Sequence, residues 1–131
     1  MKALMAVAFA VVVGSSAANA ADAPKPTAAE SAAIFKAAGF TAKGGKYVRC
    51  ADDVTASHQP GWIELQDLNG DGTAEAWVKE SSTFCYGNTA EAFVLLGKDA
   101  KGGWTILLDE IGIALTLEAK HNGWPDIEVG G

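Results

Sequence analysis

From Lys46 to the end, the chain is a succession of short apolar runs cut by Gly, Asn, Asp and Pro. That punctuation constrains the fold more than any other feature. "KYVRCA" is a short strand that carries Cys50. "DDVTASHQPG" is polar, contains Pro60 and reads as a loop. "WIELQDL" and "AEAWVKE" then flank a Gly-rich, acidic connection. "EAFVLLG" and "WTILLDE" form a second hairpin around "KDAKGG", and "IALTLEA" and "DIEV" a third around "KHNGWP", where Asn122-Gly123 is a turn dipeptide. Before the strands lies one helix, over roughly residues 28 to 38. Thr27 and Glu30 match the T-x-x-E capping box, Ile34, Phe35 and Ala38 share a face, and Gly39-Phe40 supplies a C-terminal stop. The expectation is an α+β fold: one N-terminal helix and about seven strands, the helix packed on an antiparallel β meander of hairpins.

Residues 1 to 20 are excluded from that fold. Lys2 gives a positive start, "ALMAVAFAVVVG" is an apolar run shorter than a membrane span, and Ala18 and Ala20 give A-x-A spacing. This is the pattern of a cleaved secretory signal, with the mature chain starting near Ala21. "ADAPKP", residues 21 to 26, is a linker, and residues 27 to 131 make a single domain. Removing 20 residues from 131 leaves 111, the usual size of one domain. The periplasm or the extracellular space is the expected location, with no membrane span after cleavage.

Export gives the two cysteines a meaning. Cys50 and Cys85 lie 35 residues apart and no C-x-x-C is present, so a disulfide is expected in preference to a nucleophile or a redox pair. Closing such a loop stabilises a fold by about 3–4 kcal/mol in the chain-entropy description. The formal charge is −6, and about −7 without Lys2. An acidic chain with no basic cluster excludes nucleic acid as an expected partner.

The connection between the first two hairpin strands carries the one pattern with specific chemistry. In "DLNGDGTAEAWV", Asp67, Asn69 and Asp71 occupy alternate positions, Gly70 and Gly72 are interleaved, and Glu75 follows. A hard cation such as calcium takes six to eight oxygen ligands. Asp67, Asn69 and Asp71 at loop positions 1, 3 and 5 supply side-chain oxygens. The Thr73 carbonyl at position 7 and Glu75 at position 9 extend the set, and Gly72 allows the bend. An EF-hand needs an acid at position 12, which is Val78 here, and flanking helices where this chain has strands. The competing reading is a plain hairpin turn, since Asn-Gly and Asp-Gly are both strong turn dipeptides. Such a turn has no use for Asp67 or Glu75.

The pattern D-x-N-x-D-G-x-x-E between strands resembles the calcium loop of FG-GAP and VCBS-type extracellular repeats, over roughly residues 63 to 80. The resemblance implies Asp67, Asn69, Asp71, Glu75 and the Thr73 carbonyl as calcium ligands. That family more often has Asp at position 9, where this chain has the longer Glu75. The chain is also similar to small exported bacterial proteins of unassigned function, which imply no activity. Chains of that kind run on past a Gly-Gly such as Gly130-Gly131, which implies a shortened member.

Other features are less specific. "TAEAWV" at residues 73 to 78 returns as "TAEAFV" at residues 89 to 94 without the acidic pair before it. His58 and His121 have no ligand spacing to each other or to the cysteines. Asp109-Glu110 reads as a solvated strand end. Of the four tryptophans, Trp77 and Trp104 suit a core. Trp62 and Trp124 each lie beside a Gly at a strand or turn, and are the expected partner surface. No G-x-S-x-G elbow or phosphate-binding Gly loop is present. The expected function is therefore a non-enzymatic exported module with a structural calcium loop, binding a protein or glycan. The alternatives are a secreted hydrolase with a scattered site, and a plain fold whose loop is only a turn.

Overall fold

The computed structural model describes residues 24–54 and 62–131, which are mostly β with a small helical part. The elements in chain order are α1 (Ala28–Ala37), β1 (Thr41–Lys43), β2 (Lys46–Val48), β3 (Glu64–Gln66), β4 (Glu75–Ser81), α2 (Thr83–Tyr86), a 3-10 turn (Gly87–Thr89), β5 (Glu91–Lys98), β6 (Trp104–Ile111), β7 (Ile113–His121) and β8 (Trp124–Gly130). The signal-like residues 1–20, and His58 with Pro60 in the polar loop, lie outside the described residues.

The strands pair antiparallel in three sheets: β1-β2, β3-β4-β5-β6 and β7-β8. Three expectations need correcting. The meander does not run through to the C-terminus but stops at β6, and β7-β8 forms a separate pair. "KYVRCA" is strand only to Val48, so Cys50 lies beyond the strand end. The β1-β2 hairpin and the short helix α2 were not anticipated.

The ends of α1 are set locally. The Thr27 hydroxyl accepts the Glu30 N–H at 3.1 Å. The Glu30 carboxylate turns to Lys98 Nζ, 3.2 Å away, so the second half of the capping box is exchanged for a tertiary ion pair. At the other end the Gly39 N–H bonds the Lys36 carbonyl (3.1 Å) and the Phe40 N–H bonds the Phe35 carbonyl (2.9 Å). This is the Schellman pattern, and its hydrophobic contact is the edge-on Phe35–Phe40 pair, with ring centroids 5.5 Å apart.

The four-stranded sheet is covered on both faces. Val78 and Val94 face one another across β4 and β5, as do Trp77 and Leu95. Because side chains alternate, one set meets α1 and the other meets β7-β8. The first core joins Ile34, Phe35, Ala38 and Phe40 to Ile63, Leu65, Ala76, Val78, Val94 and Leu96. Tyr47 stacks on Phe35 with centroids 4.0 Å apart. The second core joins Leu68, Trp77, Phe93 and Leu95, with Leu108, Ala114, Trp124 and Ile127 half-buried against it.

A bulge opposite Leu95 and Leu96 leaves Leu107 as the extra residue of β6. The chain then leaves the sheet through one residue, Gly112, whose φ is +141° and whose N–H bonds the Glu91 carbonyl at 2.9 Å. The β7-β8 turn has Asn122 at φ 53° and Gly123 at φ 84°, the signs of a type I′ hairpin.

Gly112 joins the two parts of the fold. A Cβ there would stand 2.7 Å from Val129 Cγ1 and 2.9 Å from the Gly130 carbonyl oxygen, on a backbone that L-residues avoid. Gly112→Ala is expected to destabilise by about 2–4 kcal/mol, combining backbone strain and overpacking. Gly102→Ala, also at positive φ but with nothing within 4 Å, should cost only about 1 kcal/mol. Thermal melts of the two variants check the difference.

Candidate functional site

The β3–β4 connection folds around its own acids. Asp67 Oδ1 accepts the N–H groups of Gly70 (2.8 Å) and Asp71 (3.2 Å), and Oδ2 accepts that of Gly72 (2.8 Å). Asn69 Oδ1 accepts the Asp71 N–H at 3.0 Å, and Asp71 Oδ1 accepts the Thr73 N–H at 2.7 Å. Asn69 Nδ2 donates to Asp71 Oδ2 at 3.2 Å. Asp67, Asn69 and Asp71 are thus gathered at one place, and Gly72 makes the bend at φ 87°.

Glu75 is different. It opens β4, is 3% exposed, and its Oε2 accepts the Leu68 N–H at 2.7 Å. Burial pushes its carboxyl above the usual range. The Leu68 bond opposes that shift, and the charges of Asp71 and Asp67 add to it. The salt bridges found among the described residues are Arg49–Asp109, Lys98–Glu30 and His121–Asp126, and none reaches this loop. Among the described residues, no three His, Cys, Asp or Glu side chains are placed together to hold a metal ion. The side chains drawn together here, Asp67, Asn69 and Asp71, present oxygen atoms, the hard donor class that calcium takes.

A second polar cluster lies at the far end of β4, and the sequence did not suggest it. Cys50 and Cys85 are joined, with their Cα atoms 6.1 Å apart. Glu80, 2% exposed, accepts the N–H groups of Arg49 (2.9 Å) and Cys50 (2.8 Å) and the Tyr86 hydroxyl (2.6 Å). Burial pushes the Tyr86 phenol far up, and the bond to Glu80 adds to the shift. Ser82 caps α2 by accepting the Cys85 N–H at 3.1 Å, and donates to Asp53 Oδ2 at 2.6 Å. Arg49 grips Asp109 with two bonds of 2.8 and 2.5 Å, and that contact raises its own pKa. Arg49, Tyr86 and Asp109 line an open groove with Cys50, Cys85 and Ile111. Each polar group named here is bonded to another, so the cluster fastens the disulfide segment. The available signal was parity: Glu80 follows Ala76 and Val78 on the same buried face of β4.

The remaining candidates separate. Trp62 is 55% exposed. Trp124 is half-buried against the second core. Trp77 lies within that core, and Trp104 packs on the first core with Lys98 Nζ 4.9 Å from its ring centre. His121 Nδ1 is 2.6 Å from Asp126 Oδ1, exposed on the β7-β8 hairpin.

A raised carboxyl opposes folding once it ionises. The stability that Glu75 contributes is present in full below its unfolded pKa and is lost as pH rises through the higher folded value. Glu75→Gln retains an acceptor for the Leu68 N–H and does not ionise. At neutral pH without metal it should melt above the parent protein, and that advantage should shrink as pH falls through the folded-state pKa and vanish below the unfolded one. Parallel melts across pH check this; an advantage independent of pH would contradict it. Comparison with protein-family models, curated proteins and solved structures finds no match for this chain.

Proposed function

We propose that the Asp67–Glu75 loop binds one calcium ion, and that the protein is a non-enzymatic exported module acting on a protein or glycan in the periplasm or outside the cell. The ligands in this reading are Asp67, Asn69, Asp71, the Thr73 carbonyl and Glu75. One observation carries it: the side chains of Asp67, Asn69 and Asp71 are drawn together on the loop, and no side-chain cation pairs with Asp67, Asp71 or Glu75 among the described residues. A divalent ion balances such clustered carboxylates. The loop's amides support the same reading, because they hold Asp67, Asn69 and Asp71 in place before any ion arrives. Asp67 Oδ2 and both Asp71 carboxylate oxygens accept one bond each and keep a second lone pair for a metal, whereas Asp67 Oδ1 already accepts two.

The Cys50–Cys85 disulfide supports an oxidising compartment. Among the described residues no helix is long and apolar enough to cross a membrane. The aromatic contact offered to a partner is Trp62. A second reading has an observation of its own: the amides of Gly70, Asp71, Gly72 and Thr73 already occupy the acids, as in a self-closed turn.

Calcium titration followed by calorimetry and thermal melting separates the two. Extracellular modules bind calcium with dissociation constants of about 10⁻⁴–10⁻³ M. At ten times that constant, binding adds about 1.4 kcal/mol of stability. The melting temperature should rise with calcium and return with chelator. Magnesium should act more weakly, because it demands a small octahedral site. Asp71→Ala should abolish the response and Asp109→Ala should leave it. No heat of binding and no shift at millimolar calcium would establish the self-closed turn instead. Turnover in a screen of hydrolase substrates would overturn the non-enzymatic reading.

A further inference from the structure

The two cysteines of the disulfide differ in access. Cys50 is 4% exposed, whereas Cys85 lies on α2 and is exposed. Both line the groove that Arg49, Tyr86 and Asp109 share. Thiol–disulfide exchange depends on which sulfur an incoming thiolate reaches. Here that residue is Cys85. The other sulfur lies inward, with Cys50 Sγ 3.5 Å from the oxygen of the buried Ser82 hydroxyl.

The segments that carry the two sulfurs are also held without the bond between them. Glu80 accepts the Arg49 and Cys50 N–H groups on one side and the Tyr86 hydroxyl on the other, so one buried carboxylate ties both segments to β4. Ser82 makes a second bridge: its Oγ accepts the Cys85 N–H and donates to Asp53. The Ser82 N–H bonds the Ala90 carbonyl at 2.8 Å and the Tyr86 N–H bonds the Ser82 carbonyl at 3.0 Å, which close the β4–β5 connection on itself. None of these bonds passes through a sulfur. A disulfide that alone joins two segments releases them when it is cut. This one is duplicated by hydrogen bonds that do not depend on it.

We propose that Cys50–Cys85 is an exchangeable disulfide, opened at Cys85 by a dithiol and closed again within the folded domain. A thiolate of the dithiol attacks Cys85 Sγ and forms a new S–S bond there. The Cys50–Cys85 bond breaks, its electron pair leaves on Cys50 Sγ, and that sulfur takes a proton from water. The resulting thiol donates to Ser82 Oγ, whose own hydrogen is given to Asp53. The second thiol of the dithiol, once deprotonated, attacks the outer sulfur of the mixed disulfide and releases the Cys85 thiolate, which is protonated in turn. The dithiol is oxidised to a disulfide, and the protein gains two electrons and two protons. Because the hydrogen bonds keep the two thiols adjacent, an oxidant rejoins them without a search through unfolded chain. The exchange needs nothing from the calcium loop.

Dithiothreitol, applied to the purified protein without denaturant, should give two free thiols while the near-ultraviolet circular dichroism stays native. The dithiol form should melt below the disulfide form, because the constraint on its unfolded chain is gone. Replacing the reductant with oxidised glutathione should restore the disulfide, again without denaturant. Brief treatment with the monothiol 2-mercaptoethanol, acid quenching and peptide mapping should place the mixed disulfide on Cys85 rather than Cys50 by about tenfold or more. In Cys85→Ser the remaining Cys50 thiol should react with a maleimide on the order of a hundredfold more slowly than Cys85 does in Cys50→Ser, because it needs a local opening. Mapping of the parent protein decides the matter if either variant fails to fold. Reduction that requires denaturant, loss of the native spectrum on reduction, or an adduct found chiefly on Cys50 would overturn the proposal and leave a fixed structural bond.

Discussion

Everything in this molecule is built on the pairing of β4 with β5. From Ala76 to Val78 and from Ala92 to Leu96 both strands are buried on both faces, so each contributes to two cores at once. A strand covered on one side alternates apolar and polar residues; one covered on both sides reads as a continuous apolar run, as "AWV" and "AFVLL" do. The echo between residues 73–78 and 89–94 acquires a meaning here. The two similar segments become adjacent antiparallel strands, with Val78 opposite Val94. Helix α1 and the β7-β8 hairpin are then the two coverings of one sheet.

β4 also carries a buried acid near each end, and the two do opposite work. Glu80 faces donors on several sides: two backbone amides from the cysteine segment and the Tyr86 hydroxyl. Burying a polar group costs little when its bonds are made, and the group then holds together segments far apart in sequence. Glu75 receives the Leu68 amide while two other acids press on it. The first acid is a finished structural joint. The second has one backbone donor, the Leu68 amide, and two acids as neighbours.

What was legible in the chain was local. Thr27, Gly39 and Phe40 set the ends of α1 through bonds spanning three to five residues, so their types and spacing suffice. Asn122-Gly123 set its hairpin for the same reason. Glu30 was read as half of a capping box, but Lys98 lies 68 residues away and takes its carboxylate. Trp124 looked exposed because it follows a turn glycine, yet the hairpin folds back and half-buries it on the second core. Helix α2 is only four residues long, capped by Ser82 and tied by the disulfide. Short helices lack a periodic signal, and their stability comes from such ties.

The sequence by itself determined which segments extend, where they turn, which residues are apolar enough to be buried, and that Asp67, Asn69 and Asp71 share one tight loop. Those properties follow from backbone preferences and side-chain period, which act over a few residues. Tertiary structure decided that the meander ends at β6, that Glu80 holds the cysteine segment, that Glu75 lies buried behind Asp67 and Asp71, and that β7 turns its large side chains to water. Each of these depends on which face of a strand is covered and by what. Period two in the sequence distinguishes the two faces of a strand, and only packing decides what each of them meets.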